Sequence, residues 1–191
     1  MCEFPCQTHK QTVIIEKNPV WQQRDMGRRN SALKKKEEKT NVMRVLDQKK
    51  IQYKSYCYTD SGVISGADVA AVLKQNPDQV FKTLVTTGNS GSHYVFLVPV
   101  CRELNLKKAA RAACEKNIRM LPSKELLPLT GYIHGGCSPI GMKKQFPTVI
   151  DASAMSFDTI LFSGGRIGYQ VEVSVAELKK AFPFQLGEIT D

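Results

Sequence analysis

Two short runs, Val80 to Thr87 and His93 to Val100, constrain the fold more than any other part of this chain. Both are rich in aromatic and β-branched residues, as strands are. Gly88-Asn89-Ser90-Gly91-Ser92 joins them, and Asn76-Pro77-Asp78 marks a turn before the first. The pattern predicts an antiparallel hairpin. One residue stands out in it. Lys82 places an ammonium among apolar neighbours, and an unpaired buried charge is costly. Either its stem lies along the sheet with the head in water, or it lines a cleft and meets a polar or anionic ligand.

The remaining elements follow from period and punctuation. Thr40 is placed to cap a helix carrying Val42, Met43, Val45 and Leu46. Ile51 to Tyr58 reads as a strand. Ser65 is expected to cap a helix from Gly66 to Lys74, stopped by Asn76-Pro77. Lys107 to Lys116 is a basic helix whose alanines can pack closely on a sheet. Ile118 to Leu121 reads as a short strand, and Ser123 opens a short helix expected to be limited by Pro128. Thr148 to Asp151, Thr159 to Ser163 and Tyr169 to Ser174 are strands, the last two paired. Ser174 and Glu177 form a capping-box pattern before a last helix through Lys180. Hairpins mixed with single helices predict an α+β fold with a mixed, mostly antiparallel sheet.

The chain has 191 residues, which suits one domain plus an extension. Residues 1–39 read as a basic, disordered extension, 40–186 as the domain and 187–191 as a tail. No apolar run approaches the roughly 18 residues that cross a bilayer. The first residues lack the basic and apolar regions of a signal peptide. A cytoplasmic protein with no membrane association is expected. The net charge is +9, spread over both the extension and the domain. Such a bias favours polyanionic partners, RNA above all. Six cysteines show no compact disulfide framework. Cys2, Cys6 and His9 could be three metal ligands, but no fourth is evident.

Gly131 to Gly141 holds four glycines and Pro139 in a long irregular run. Glycine in such density argues for special dihedrals or for close approach of a ligand to the backbone. No Walker loop or dinucleotide fingerprint is present. Cys137 near His134 suggests a thiol and a base, but no orienting acid accompanies them. Ser163 precedes two glycines without forming a nucleophile elbow. A lysine on a strand, a glycine-rich loop and a serine at a strand end remain. Such parts can hold an ester carbonyl and stabilise developing oxyanion charge without a protein nucleophile.

The blocks Asn76 to Leu84, Gly131-Tyr132 through Gly135-Gly136-Cys137-Ser138-Pro139-Ile140-Gly141, Pro147 to Asp151 and Ser163-Gly164-Gly165 resemble the YbaK/EbsC family of trans-editing aminoacyl-tRNA deacylases. The resemblance covers about residues 40–186, with the blocks in family order. That family is similar to the editing domain inserted in bacterial prolyl-tRNA synthetases. These synthetases mischarge cysteine onto tRNA(Pro), because so similar a side chain cannot be excluded by binding alone.

The resemblance implies a fold of that editing-domain type and a role for each matching residue. Lys82 matches the essential lysine, which contacts the aminoacyl-tRNA end and its carbonyl. Tyr58, Thr83 and Ser163 match pocket residues, and Gly135 the glycine whose backbone approaches the ester. It further implies attack on the ester by the cysteine substrate's own thiol, no metal or organic cofactor, tRNA as substrate and prolyl-tRNA synthetase as partner. Two positions depart from the family. Gln170 stands where the family has an aspartate, and Ser65 falls near a pocket phenylalanine. Lys107, Lys108, Arg111, Lys143 and Lys144 are candidate contacts for the acceptor stem. The alternatives are a deacylase for Ala-tRNA(Pro) or another small residue using water, a non-catalytic RNA-binding module, and a thiol enzyme using Cys137.

Overall fold

The computed structural model describes residues 39–63 and 65–191. The expected hairpin lies at its centre. β2 (Phe81–Gly88) pairs antiparallel with β3 (His93–Pro99) from Phe81 opposite Pro99 to Thr87 opposite His93. Its turn is closed by the Gly88 N–H donating to Ser92 O at 2.8 Å, with Gly91 at φ 85°. β4 (Ile118–Met120) adds antiparallel to β2, while β5 (Thr148–Asp151) adds parallel to β3 and β8 (Gln185–Gly187) parallel to β5. The other strands, β1 (Tyr53–Cys57), β6 (Thr159–Ser163) and β7 (Tyr169–Ser174), form an antiparallel sheet with β7 in the middle.

The fold is therefore α+β with mostly antiparallel pairing, as expected, but the strands divide into two sheets. A single bridge between Val80 and Leu161 joins them where β2 begins. Period-two alternation explains why β3 is buried on both faces. Val95 and Leu97 join the larger core with Phe81, Ile160, Phe162 and Val171. Phe96 and Val98 face the other way, onto Ala109 and Ala110 of α3 (Leu106–Ala112). The larger core also takes Val42 and Leu46 from α1 (Asn41–Gln48) and Leu178 from α5 (Val175–Ala181).

Several local expectations are corrected. Thr40 caps α1 by accepting from the Met43 N–H at 3.3 Å, but Ser65 and Ser174 occupy N-cap positions without a side-chain bond. Glu177 pairs with Lys180 at 2.7 Å. α2 (Gly66–Val72) is shorter than expected because Lys74 turns into the left-handed region at φ 53°. α3 ends early for the same reason at Cys114, φ 56°. α4 (Ser123–Thr130) runs through Pro128 and stops at Gly131, φ 86°. Its last carbonyls find other donors: Thr130 Oγ1 bonds Leu126 O at 2.7 Å, and Lys143 Nζ bonds Pro128 O at 3.3 Å.

The C-terminal residues, expected as a tail, are packed. Gly187 closes β8, and Ile189 and Thr190 are buried. Asp151, 3 % exposed, holds them. It accepts from the Ser153 N–H at 3.0 Å, the Ile189 N–H at 3.2 Å and Thr190 Oγ1 at 3.1 Å. Among the described residues, no helix is long and apolar enough to cross a membrane. Cys2, Cys6 and His9, considered as metal ligands, and the whole 1–38 segment lie outside the described residues.

Candidate active site

A cleft of about 230 Å³ opens where the two sheets meet, beside the start of β2. Lys82, Thr83, Tyr58, Gly135, Ser163 and Gln170 all line it. Five parts of the chain supply them. β2 carries Lys82 and Thr83; Tyr58 follows β1; Ser163 ends β6; Gln170 is the second residue of β7; Gly135 comes from the glycine-rich loop. Sheet register explains part of the convergence. Gln170 lies opposite both Tyr56 and Ser163, so the central strand of the smaller sheet brings Ser163 and Gln170 together and sets Tyr58 near them.

The loop backbone has the special geometry that its composition predicts. Gly131, Gly135 and Gly141 have φ of 86°, 79° and 76°. Tyr132 pins it by donating its hydroxyl to Ile140 O at 2.6 Å. Gly136 packs so tightly that an added Cβ would lie 3.2 Å from the Ile167 backbone nitrogen. The loop thereby rests on the turn that follows Ser163, whose Oγ accepts from the Gly165 N–H at 3.3 Å.

Polar groups on the walls differ in how they are satisfied. Lys82 Nζ donates to Glu103 Oε1 at 2.7 Å, with Lys82 26 % and Glu103 84 % exposed at the side chain. Tyr58 is buried, and burial raises its hydroxyl above the ordinary phenol value, so it is a neutral donor at pH 7. Gln170 is 4 % exposed, and its Oε1 has no partner; Thr83 Oγ1 is likewise buried without one. Buried polar atoms without partners are rare in folded proteins and call for a donor from a ligand or ordered water. Cys137 also lines the cleft, but burial pushes its thiol up to about 12. It is protonated near neutral pH and lacks the thiolate character of a nucleophile. That argues against the thiol-enzyme alternative.

The remaining walls are His134 and the apolar residues Val69, Val80, Phe81, Leu84, Val100 and Leu126. Ser65 lines the cleft too, at the start of α2. Among the described residues, no Asp or Glu lies on the walls. Sequence reasoning passed over Glu103. The signal was there in the hairpin itself, since pairing Phe81 with Pro99 brings the turn after β3 beside Lys82. Of the candidate acceptor-stem contacts, Lys107, Arg111, Lys143 and Lys144 are exposed, although Lys143 also serves the end of α4, whereas Lys108 is half-buried and bonds Thr190 O at 2.5 Å.

Comparisons with known proteins identify the family. The family model of the aminoacyl-tRNA editing domain matches residues 61–181. An Enterococcus faecalis protein named "Putative Cys-tRNA(Pro)/Cys-tRNA(Cys) deacylase EbsC" is 43% identical over 160 residues, spanning 83% of this chain and 98% of that protein. The proline–tRNA ligase of Pelobacter propionicus is 33% identical over 85 residues, 44% of this chain but 15% of the ligase. A crystal structure described as "a putative trans-editing enzyme for prolyl tRNA synthetase" superposes with a TM-score of 0.68 at 22% identity, covering 79% of this chain and 95% of that one. This chain belongs to the aminoacyl-tRNA editing domain family.

Proposed function

We propose that this chain is a trans-editing deacylase that removes cysteine from mischarged Cys-tRNA(Pro), and that the cleft at the start of β2 is its active site. The observation that carries the reading is the gathering of Lys82 with two buried, unpartnered polar atoms in one small cleft. At about 230 Å³ the cleft is smaller than the roughly 300–1,000 Å³ that suits drug-sized ligands. It suits a small aminoacyl group at the end of a longer molecule. Its relatives are named for deacylation of Cys-tRNA(Pro) and Cys-tRNA(Cys) and for proline–tRNA ligation, which supports the substrate and a role beside prolyl-tRNA synthetase.

Lys82 directs its ammonium at the ester carbonyl oxygen while keeping its contact with Glu103. The substrate's own thiol sulfur attacks the carbonyl carbon. As the C–S bond forms, negative charge grows on that oxygen, and a positioned cation lowers the barrier. The bond to the ribose oxygen then breaks, the thiol proton ends on that oxygen, and the amino acid leaves as a cyclic thioester that water later opens. Gly135 offers its backbone beside the ester. Gln170 Oε1 accepts from the thiol S–H before attack, and the Thr83 hydroxyl donates to the thiol sulfur. An alanyl ester has neither a side-chain donor for Gln170 Oε1 nor an acceptor for the Thr83 hydroxyl and would leave both unpaired, which favours cysteine. Exposed Lys107, Arg111 and Lys144 hold the acceptor stem through its phosphates.

The test is first-order loss of Cys-tRNA(Pro), Ala-tRNA(Pro) and S-methylcysteinyl-tRNA(Pro). Rapid loss of the first alone is expected. Comparable loss of the S-methyl ester would replace the substrate thiol with water. Preference for the alanyl ester would move the activity to another small residue, and stability of all three would favour an RNA-binding module.

A further inference from the structure

Among the described residues, the cleft walls carry one fixed cation and no carboxylate. The substrate class proposed above brings a second cation. Its α-ammonium lies two bonds from the carbonyl carbon, so an ester placed with its carbonyl oxygen on Lys82 sets two positive groups side by side. Like charges at that separation repel unless an anion lies between them.

Glu103 is placed to be that anion. Its Oε1 is 2.7 Å from Lys82 Nζ. It sits in the turn after β3, beside the start of β2. Its carboxylate is 84 % exposed, and a carboxylate accepts about four hydrogen bonds, so one bond to Lys82 leaves capacity for another donor.

We propose that Glu103 binds the α-ammonium of the aminoacyl ester while still touching Lys82, and so selects esters with a free amino group. This inference rests on the deacylase reading. An ester whose nitrogen is acylated, as at the end of a peptidyl chain, offers no cation and forfeits the contact. The carboxylate then has two functions at once. It neutralises the second cation, and it orients the ester so that the carbonyl oxygen meets Lys82.

The test uses the full chain, wild type and Glu103→Gln, with Cys-tRNA(Pro) and its α-hydroxy analogue, in which a neutral hydroxyl replaces the ammonium at nearly the same size. Glu103→Gln is expected to lower kcat/KM on the cysteinyl ester about five- to tenfold, the range for one partly exposed charge-assisted bond. On the α-hydroxy ester it should change kcat/KM by less than about twofold, and Glu103→Asp should recover part of the preference. Equal losses on both esters would overturn the inference, since Glu103 would then act only through Lys82 or through the fold. A gain on both would overturn it as well, because Glu103 would merely compete for the lysine. Inactivity of the wild type on both esters would overturn the deacylase reading itself, and the inference with it.

Discussion

Replacing Lys82 with alanine is expected to lower kcat for Cys-tRNA(Pro) by about 10²–10³-fold, the loss typical of removing one positioned oxyanion donor. Among the described residues, no other cation of fixed charge lines the cleft. Substrate affinity should change far less, because the proposed acceptor-stem contacts of Lys107, Arg111 and Lys144 lie outside the cleft lining. Folding should be nearly untouched. Lys82 makes one ion pair, to a carboxylate that is 84 % exposed, and such pairs contribute at most about 1 kcal/mol. A melting curve beside the kinetic assay separates the two effects. Lost activity with an unchanged Tm places Lys82 in the chemistry, whereas a matching fall in Tm would make it a structural residue.

The second large effect is on stability and lies away from the cleft. Asp151→Asn is expected to cost about 2–4 kcal/mol, because an amide NH₂ must then face one of the N–H or O–H donors that now meet carboxylate oxygens. For a domain of this size that corresponds to a fall in Tm of roughly 5–12 °C. Burial alone would raise the Asp151 carboxyl, but hydrogen bonds from Ser153, Ile189 and Thr190 outweigh it and hold the group below the ordinary carboxylate value. A depressed folded-state pKa means that the ionised form is the stabilising one. Its contribution is complete above the unfolded value of about 3.9 and is lost as pH falls through the lower folded value. Thermal melts of wild type should therefore lose stability on acidification more steeply than those of Asp151→Asn.

The parts of the fold that the sequence made legible are those governed by local rules. The hairpin was readable from β-branched runs and a glycine-serine turn, and the loop from Gly131 to Gly141 from composition alone. Pairing of β6 with β7 followed from two alternating runs separated by a glycine turn. The division into two sheets was not readable, because it depends on which strands share a ladder across long separations. β8 was missed because Gln185-Leu186-Gly187 has neither length nor alternation, and its place comes from β5. The docking of Ile189 and Thr190 was hidden for the same reason, since Asp151 lies far away in the chain.

At the site, family resemblance named Lys82, Tyr58, Thr83, Gly135, Ser163 and Gln170, and all six line one cleft. Composition and periodicity alone reached only Lys82, the glycine loop and Ser163. The unpartnered state of Gln170 Oε1 could not be read from sequence, because it depends on what fails to reach a buried atom. Glu103 looked like one more surface acid until the register of the hairpin set it beside Lys82.

The most direct measurement compares the loss of Cys-tRNA(Pro) and correctly charged Pro-tRNA(Pro) with the wild-type chain against their spontaneous hydrolysis. The account predicts that the cysteinyl ester is lost well above its spontaneous rate while the prolyl ester is not. Equal acceleration of both, or acceleration of neither, would contradict it.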